Sequence, residues 1–202
     1  SRGLGDVYKR QVQGINAAAE EMGITDKVTI EYAYGGQFYG STEITAAMDT
    51  WYSNETEVVF TCGGGIFTSA AEAAAKVNGK IIGVDSDQSP IIDKYGKGMT
   101  VTSAMKNLTA TVNVRLDSII FDGTWKDHVG QVENLGLVSK DDMSKNYVGL
   151  PEDTTQWNKN FGVNDYKKLV AEIFDGKRKV NNSTDQMPKV SVKLNERQGM
   201  IK

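Results

Sequence analysis

Val58-Val59-Phe60-Thr61-Cys62-Gly63-Gly64-Gly65 runs directly into Ile66-Phe67-Thr68-Ser69-Ala70-Ala71-Glu72-Ala73-Ala74-Ala75, and Ile81-Ile82-Gly83-Val84-Asp85-Ser86-Asp87-Gln88 follows. Both apolar runs are short and continuous, as parallel strands buried on both faces must be. The stretch between them is a helix full of alanine. One strand ends in three glycines; the other ends in two carboxylates and an amide. In open α/β sheets, ligands bind outside the carboxyl ends of the strands. The two endings therefore outline one wall of a binding cleft.

Working outward, strand and helix patterns alternate. Val12 to Met22 reads as a helix stopped at Gly23, and Val28 to Tyr34 as a strand rich in β-branched and aromatic residues. Gly35 to Gly40 is a loop. Ser41 caps the next helix, which places Ile44, Ala47, Met48 and Trp51 on one face. Val58 to Cys62 is a strand, Ile66 to Val77 a helix, and Lys80 to Val84 a strand. An irregular segment runs from Ser89-Pro90 through Gly96 and Gly98. Met99 to Met105 reads as a strand and Leu108 to Phe121 as a helix closed near Gly123. This βαβαβ order implies a parallel sheet with right-handed crossovers. After Gly123 the pattern changes: Val132 to Val138 and Tyr147 to Leu150 read as short extended runs. Val163 to Phe174 is an amphipathic helix ending at Gly176, and Thr184 to Lys202 is polar and poorly periodic.

Composition narrows the function classes. The 202 residues suffice for one large domain or two small ones, and 39% apolar with 24% charged residues describes a globular protein. A net charge of −3 argues against nucleic acid as a main partner. No apolar run approaches the ~20 residues of a membrane span. The single cysteine, Cys62, excludes an internal disulfide framework and a cysteine-built zinc site; it reads as a small core residue. His128, the sole histidine, lacks a Ser or Cys partner at a recognisable spacing and reads as a surface side chain. No carboxylate or histidine cluster has metal-ligand spacing. Lys177-Arg178-Lys179 follows a helix C-terminus, where the dipole favours cations, and reads as solvated. Asp6-Val7-Tyr8-Lys9-Arg10-Gln11 reads as a translated transposon-end adaptor from sequencing-library preparation. Residues 1–11 are accordingly set aside as a non-native scar, with the natural chain beginning upstream.

Several motifs together carry a resemblance: the Val58-Val59-Phe60 strand with its Gly63-Gly64-Gly65 turn, Ile82-Gly83-Val84-Asp85-Ser86-Asp87-Gln88, Thr102-Ser103-Ala104-Met105-Lys106-Asn107, Asn134-Leu135-Gly136-Leu137 and Asp175-Gly176-Lys177. Over roughly residues 12 to 180 the chain resembles the basic membrane protein family of bacterial substrate-binding lipoproteins, which are similar to purine nucleoside receptors of ABC importers. The Gly-Val-Asp-Ser-Asp-Gln stretch is its most specific element. The resemblance implies an α/β, type I periplasmic-binding-protein-like fold, in which two Rossmann-like lobes close over a ligand. On that reading residues 12–123 form the C-terminal ligand-binding lobe. Residues 124–202 form the hinge or crossover segment and a helix belonging partly to the N-terminal lobe. The family's lipidated cysteine and its Asn-Asp stretch before Ser-Phe have no counterpart in these 202 residues.

The resemblance also implies roles. Phe38, in the loop after the first strand of this lobe with Tyr39 beside it, stacks on the base. Gly64 lets backbone approach the ligand, Asp85 takes the ribose hydroxyls, and Lys106 faces the ribose. The chemistry suits these roles. An aromatic face stacks on a nucleobase for about 1–3 kcal/mol. One carboxylate accepts two hydrogen bonds from vicinal hydroxyls. Glycine, lacking Cβ, permits close approach. The competing readings are a loop aromatic over the core for Phe38, a turn cap for Asp85 and a solvated charge for Lys106; Asp87 reads as structural. The function implied is solute binding for an ABC importer, with a purine nucleoside and a permease as partners. No enzyme activity, cofactor, metal or nucleic acid is implied. The location implied is the cell surface or periplasm, with membrane attachment only through a lipid anchor outside these residues. Two other classes stay open. One is the ligand-sensing domain of a transcription regulator of the same fold. The other is a dinucleotide-binding Rossmann enzyme, although Gly63-Gly64-Gly65 followed by Phe67 and Thr68 departs from G-x-G-x-x-G.

Overall fold

A computed structural model describes residues 2–181 and 186–201. The fold is mixed α/β with parallel strands, as the alternation requires. The chain divides into two compact units, Ser1–Ile81 with Lys179–Lys202, and Ile82–Arg178.

The first unit opens with α1 (Arg2–Met22), which begins ten residues before the expected Val12. Once a helix is nucleated, extending it costs little per residue, and Ala17-Ala18-Ala19 supplies a strong nucleus. β1 (Thr29–Tyr34) follows. α2 (Thr42–Ser53) starts where Ser41 accepts the Ile44 N–H, as a capping serine should. Its buried face is Ile44, Met48 and Tyr52, so Tyr52 takes the place expected for Trp51. The i, i+4, i+8 spacing of these residues draws a straighter stripe than the one ending at Trp51. β2 (Val58–Phe60) leads to α3 (Phe67–Ala75), whose alanines Ala70, Ala71, Ala73 and Ala74 are buried. Small side chains let α3 approach α2 closely. Tyr52 anchors the contact: its hydroxyl donates to the Lys80 carbonyl at 2.8 Å. β2 lies beside the start of β3 (Lys80–Asp85), where the Lys80 N–H donates to the Glu57 carbonyl.

The first unit is completed by the end of the chain. Thr184 to Lys202 reads from sequence as polar and aperiodic. Thr184, Asp185 and Lys202 lie outside the described residues, but Lys193–Met200 forms β6, paired parallel to β1 with Thr29 opposite Lys193 and Ile30 opposite Leu194. The strand is legible only through its partner. Glu31 accepts from Asn195 across the pair at 2.6 Å. On α1, Asn16 accepts the Ser191 N–H at 2.7 Å, and Gln13 exchanges two hydrogen bonds with the Asn181 backbone. These contacts dock a polar tail that propensity alone would leave as coil.

In the second unit β3 continues beside β4 (Thr100–Lys106), and β4 beside β5 (Val148–Gly149). β5 is antiparallel, with Met105 opposite Gly149 and Lys106 opposite Val148. Ser89–Ile92, expected as irregular, is the short helix α4 with Pro90 in its first turn, where a missing N–H costs nothing. Asp93 then closes the loop into β4 by accepting from Gly98 N, Thr100 N and Thr100 Oγ1. α5 spans Leu108–Ile120, and a further short helix, α6 (Trp125–His128), follows Gly123. Val132–Val138 is not a strand. Asn146 supplies what a neighbouring strand would have: its Oδ1 accepts from Val138 N and Ser139 N, and its Nδ2 donates to Ser139 O. α7 runs Val163–Phe174, as the amphipathic pattern predicts, and ends at Gly176 with φ +72°.

Candidate functional site

Each pair of candidate residues is assembled within one unit. In the first unit the chain leaves β2 through a three-residue turn, in which the Gly63 N–H donates to the Thr61 carbonyl at 2.8 Å. The loop after β1 settles on that turn. The Gly65 N–H donates to the Phe38 carbonyl at 2.8 Å, and Tyr39 forms a parallel bridge with Gly65. A Cβ on Gly63 would stand 3.2 Å from Ile66 Cγ2 and 3.6 Å from Phe38 Cδ1. The glycine run therefore lets the Phe38 loop lie against the strand end. Phe38 keeps 41% of its surface exposed and Tyr39 72%, so both rings present faces to solvent. Gly64, exposed, directly follows that turn.

The geometry also weighs against a dinucleotide fingerprint. That motif cradles a pyrophosphate with free backbone N–H groups. Here the N–H groups of Gly63, Gly65, Ile66 and Thr68 are already donated to carbonyls of Thr61, Phe38, Gly63 and Gly65.

In the second unit β3 ends at Asp85, which has φ +70°. The Ser86 N–H donates to the Val84 carbonyl at 2.9 Å and closes a three-residue turn about it. This is the rare, strained form of the γ-turn. A left-handed L-residue costs about 1–2 kcal/mol, less for Asp than for most side chains. Such strain persists where the surroundings impose it, and it concentrates at binding sites. Lys106, the last residue of β4, places Nζ 2.8 Å from Asp85 Oδ1. That oxygen is closed to solvent and receives no hydrogen bond of good geometry. The ammonium therefore compensates its charge without donating along a lone pair. The side chains are 42% and 36% exposed, so the pair itself contributes only about 0.2–1 kcal/mol. Its value lies in placement: a carboxylate and an ammonium share one strand-end rim.

The neighbours divide between support and surface. Asp87 is engaged in structure, as expected: Oδ1 accepts the Ser89 N–H and Oδ2 accepts the Thr154 hydroxyl at 2.8 Å. Gln88, the amide read from sequence as part of the cleft wall, is instead buried beneath the Asp85 turn, as is Ser103, which the sequence did not single out as a site residue. Gln88 Oε1 accepts the Val84 N–H at 2.9 Å, and Ser103 Oγ accepts the Gln88 N–H at 3.1 Å. Asn107 fixes the end of β4 by capping α5 through the Ala110 N–H and donating to the Ser144 and Asn146 carbonyls. No periodicity distinguishes a buried Gln or Ser from an exposed one; the sign available was their position inside the two motifs that carry Asp85 and Lys106.

The structure also places the remaining candidates. Cys62 is half-buried, not a core residue, because the chain turns at Thr61–Gly63 before the side chain is covered. His128 is not a free surface side chain. It is held by Arg115 Nη1 at 2.8 Å and Glu133 Oε1 at 3.0 Å, and Arg115 also pairs with Glu133 at 2.9 Å. Trp157 packs, with Nε1 donating to the Glu152 carbonyl and its ring 5.6 Å from that of Tyr166. Trp125 is exposed. A groove of about 400 Å³ lined by Thr42, Thr45, Thr68 and Glu72 contains none of the four candidate residues. Among the described residues no group of His, Cys, Asp or Glu is placed to hold a metal, and no helix is long and apolar enough to cross a membrane.

No curated protein matches the chain. A family model does: that of the PnrA-like ABC transporter substrate-binding proteins, called Bmp, matches residues 13–183. The match takes in both strand ends, the Asp85 turn and the β4 terminus, and it does not favour a regulator or a dinucleotide enzyme. Proteins of that family bind a solute outside the cytoplasm and deliver it to a permease. With the match spanning most of its length, the chain belongs to the Bmp family of ABC transporter substrate-binding proteins.

Proposed function

We propose that the solute is a purine nucleoside, held by Phe38, Gly64, Asp85 and Lys106. The observation that carries this reading is the Asp85 turn: a strained carboxylate at a strand end, compensated by Lys106 and still more than a third exposed. A ribose offers two adjacent hydroxyls, and one carboxylate accepts from both. Lys106 Nζ, already at the same rim, donates to a ribose oxygen. Phe38 supplies a flat apolar face for the base, and the glycine turn at Gly64 admits the ligand close to backbone.

On this reading residues 12–123 are the ligand-binding lobe of a two-lobed receptor. Residues 124–202 are in part hinge and in part an element of the other lobe. Residues 1–11, outside the family match, are a cloning scar. The receptor is lipid-anchored. The experiment is calorimetry on the receptor with adenosine, guanosine, inosine and ribose. Nucleosides bind and ribose binds far more weakly. Equal binding of ribose and inosine removes the stacking role of Phe38, and turnover of any nucleoside overturns the reading as a receptor.

A further inference from the structure

Directly under the Asp85 turn lies a buried polar pair. Gln88 is 5% exposed and Ser103 fully buried. Buried amides and hydroxyls are retained where they satisfy backbone groups that nothing else reaches. Gln88 does this for the Val84 N–H, through Oε1 at 2.9 Å. The Val84 carbonyl in turn accepts the Ser86 N–H, the bond that closes the turn about Asp85. Ser103 holds the other end by accepting the Gln88 N–H at 3.1 Å. Ser103 belongs to β4, the strand that ends at Lys106. The turn that presents Asp85 is thus pinned at Val84 and at Gln88, and pinned to the strand that presents Lys106.

Gly83 completes the fit. A Cβ there would stand 2.7 Å from Ser103 Oγ, 2.9 Å from Gln88 Cβ and 3.0 Å from Gln88 Oε1. The close approach that brings the pair under the turn requires glycine at this position.

We propose that Gln88 and Ser103 are positioning residues that hold the 84–88 turn, and through it the Asp85 carboxylate, in the orientation that meets the ribose hydroxyls. This rests on the nucleoside reading above. Neither residue touches the ligand; each acts through Asp85.

The test titrates the receptor with inosine and with 2′,3′-dideoxyinosine, which lacks the hydroxyls. Gln88→Met keeps the side-chain length and removes the acceptor. It weakens inosine binding by up to about tenfold, the span of one neutral hydrogen bond, and leaves dideoxyinosine nearly unchanged. Added to Asp85→Ala, it produces no further loss for either ligand, because the residue it positions is gone. Gly83→Ala behaves like Gln88→Met. If Gln88→Met does not fold, Ser103→Ala, which removes a single oxygen, carries the same comparison. Equal weakening of both ligands, or additive loss in the Asp85→Ala background, overturns the positioning role. So does unchanged inosine affinity in Gln88→Met while Asp85→Ala loses it. Full inosine affinity in Asp85→Ala is a different failure: it overturns the nucleoside reading and this proposal with it.

Discussion

Asp85 combines a left-handed backbone with a carboxylate beside an ammonium. Glycine would fit the turn with less strain, and a carboxylate would be easier to hold in an extended strand. The combination separates stability from binding. Asp85→Gly should raise the unfolding free energy by up to about 1 kcal/mol, by relieving the left-handed strain, yet abolish the selectivity for ribose hydroxyls; a thermal melt and a titration read the two effects. Asp85→Ala should cost about 1.5–3 kcal/mol of nucleoside affinity, the range for hydrogen bonds to a charged group. The dideoxynucleoside should be nearly spared. Asp87→Ala should do the reverse. Its carboxylate serves Ser89 N and Thr154 Oγ1, so the melting temperature should fall more than the affinity. The preference for Asp85 over Asp87 comes from the family resemblance, not from the local pattern. The positive φ of Asp85 and the Gln88–Ser103 support were open to neither, because both are made by contacts between β3 and β4.

At the scale of elements, α2 and α3 show how a helix pair is fastened. Ser41 caps α2 and also exchanges hydrogen bonds with Ser69 of α3: Ser41 N–H donates to Ser69 Oγ, which donates back to the Ser41 carbonyl. Tyr52 fastens the opposite end through the Lys80 carbonyl. Burial raises the Tyr52 phenol well above its ordinary range. The folded state therefore holds that proton more tightly than the unfolded chain. The associated stability is complete below about pH 10, the ordinary tyrosine value, and is lost as pH rises above it. Tyr52→Phe should cost about 0.5–1.5 kcal/mol at neutral pH and flatten the alkaline fall in melting temperature between pH 9 and 11. An unchanged alkaline slope in Tyr52→Phe would place the titrating group elsewhere. Helices with long apolar periods, α2, α3, α5 and α7, were legible within a residue or two at most ends, since their faces repeat over several turns. β6 and the failed strand at Val132–Val138 were not. Strand identity depends on an available edge, and β1 offers one to a polar tail while Val138 and Ser139 meet Asn146 instead.

For the molecule as a whole, the distribution of apolar surface is informative. Phe161 and Phe174 are exposed while Val170 is buried, and a longer uncovered face lies on α5 at Leu108, Val112, Leu116 and Ile120, continuing to Phe121. Apolar faces of this extent promote association, so the 202-residue chain should run larger than a monomer in size exclusion as its concentration rises. Limited proteolysis should cut first between Gly123 and Val163, where the backbone is largely outside regular elements. Uniform resistance there would refute the reading of residues 124–202 as hinge and crossover.

The sequence by itself determined the α/β alternation, the helix faces and the two strand ends, because periodicity, caps and glycines act over a few neighbouring residues. The family followed from motifs at those ends. Tertiary structure alone decided which polar residues are buried, which backbone is strained and where a polar tail becomes a strand. These depend on groups brought together from distant positions, Ser103 to Gln88 and Lys193 to Thr29. A residue's burial is a property of its neighbours in space, and no local pattern in the chain records them.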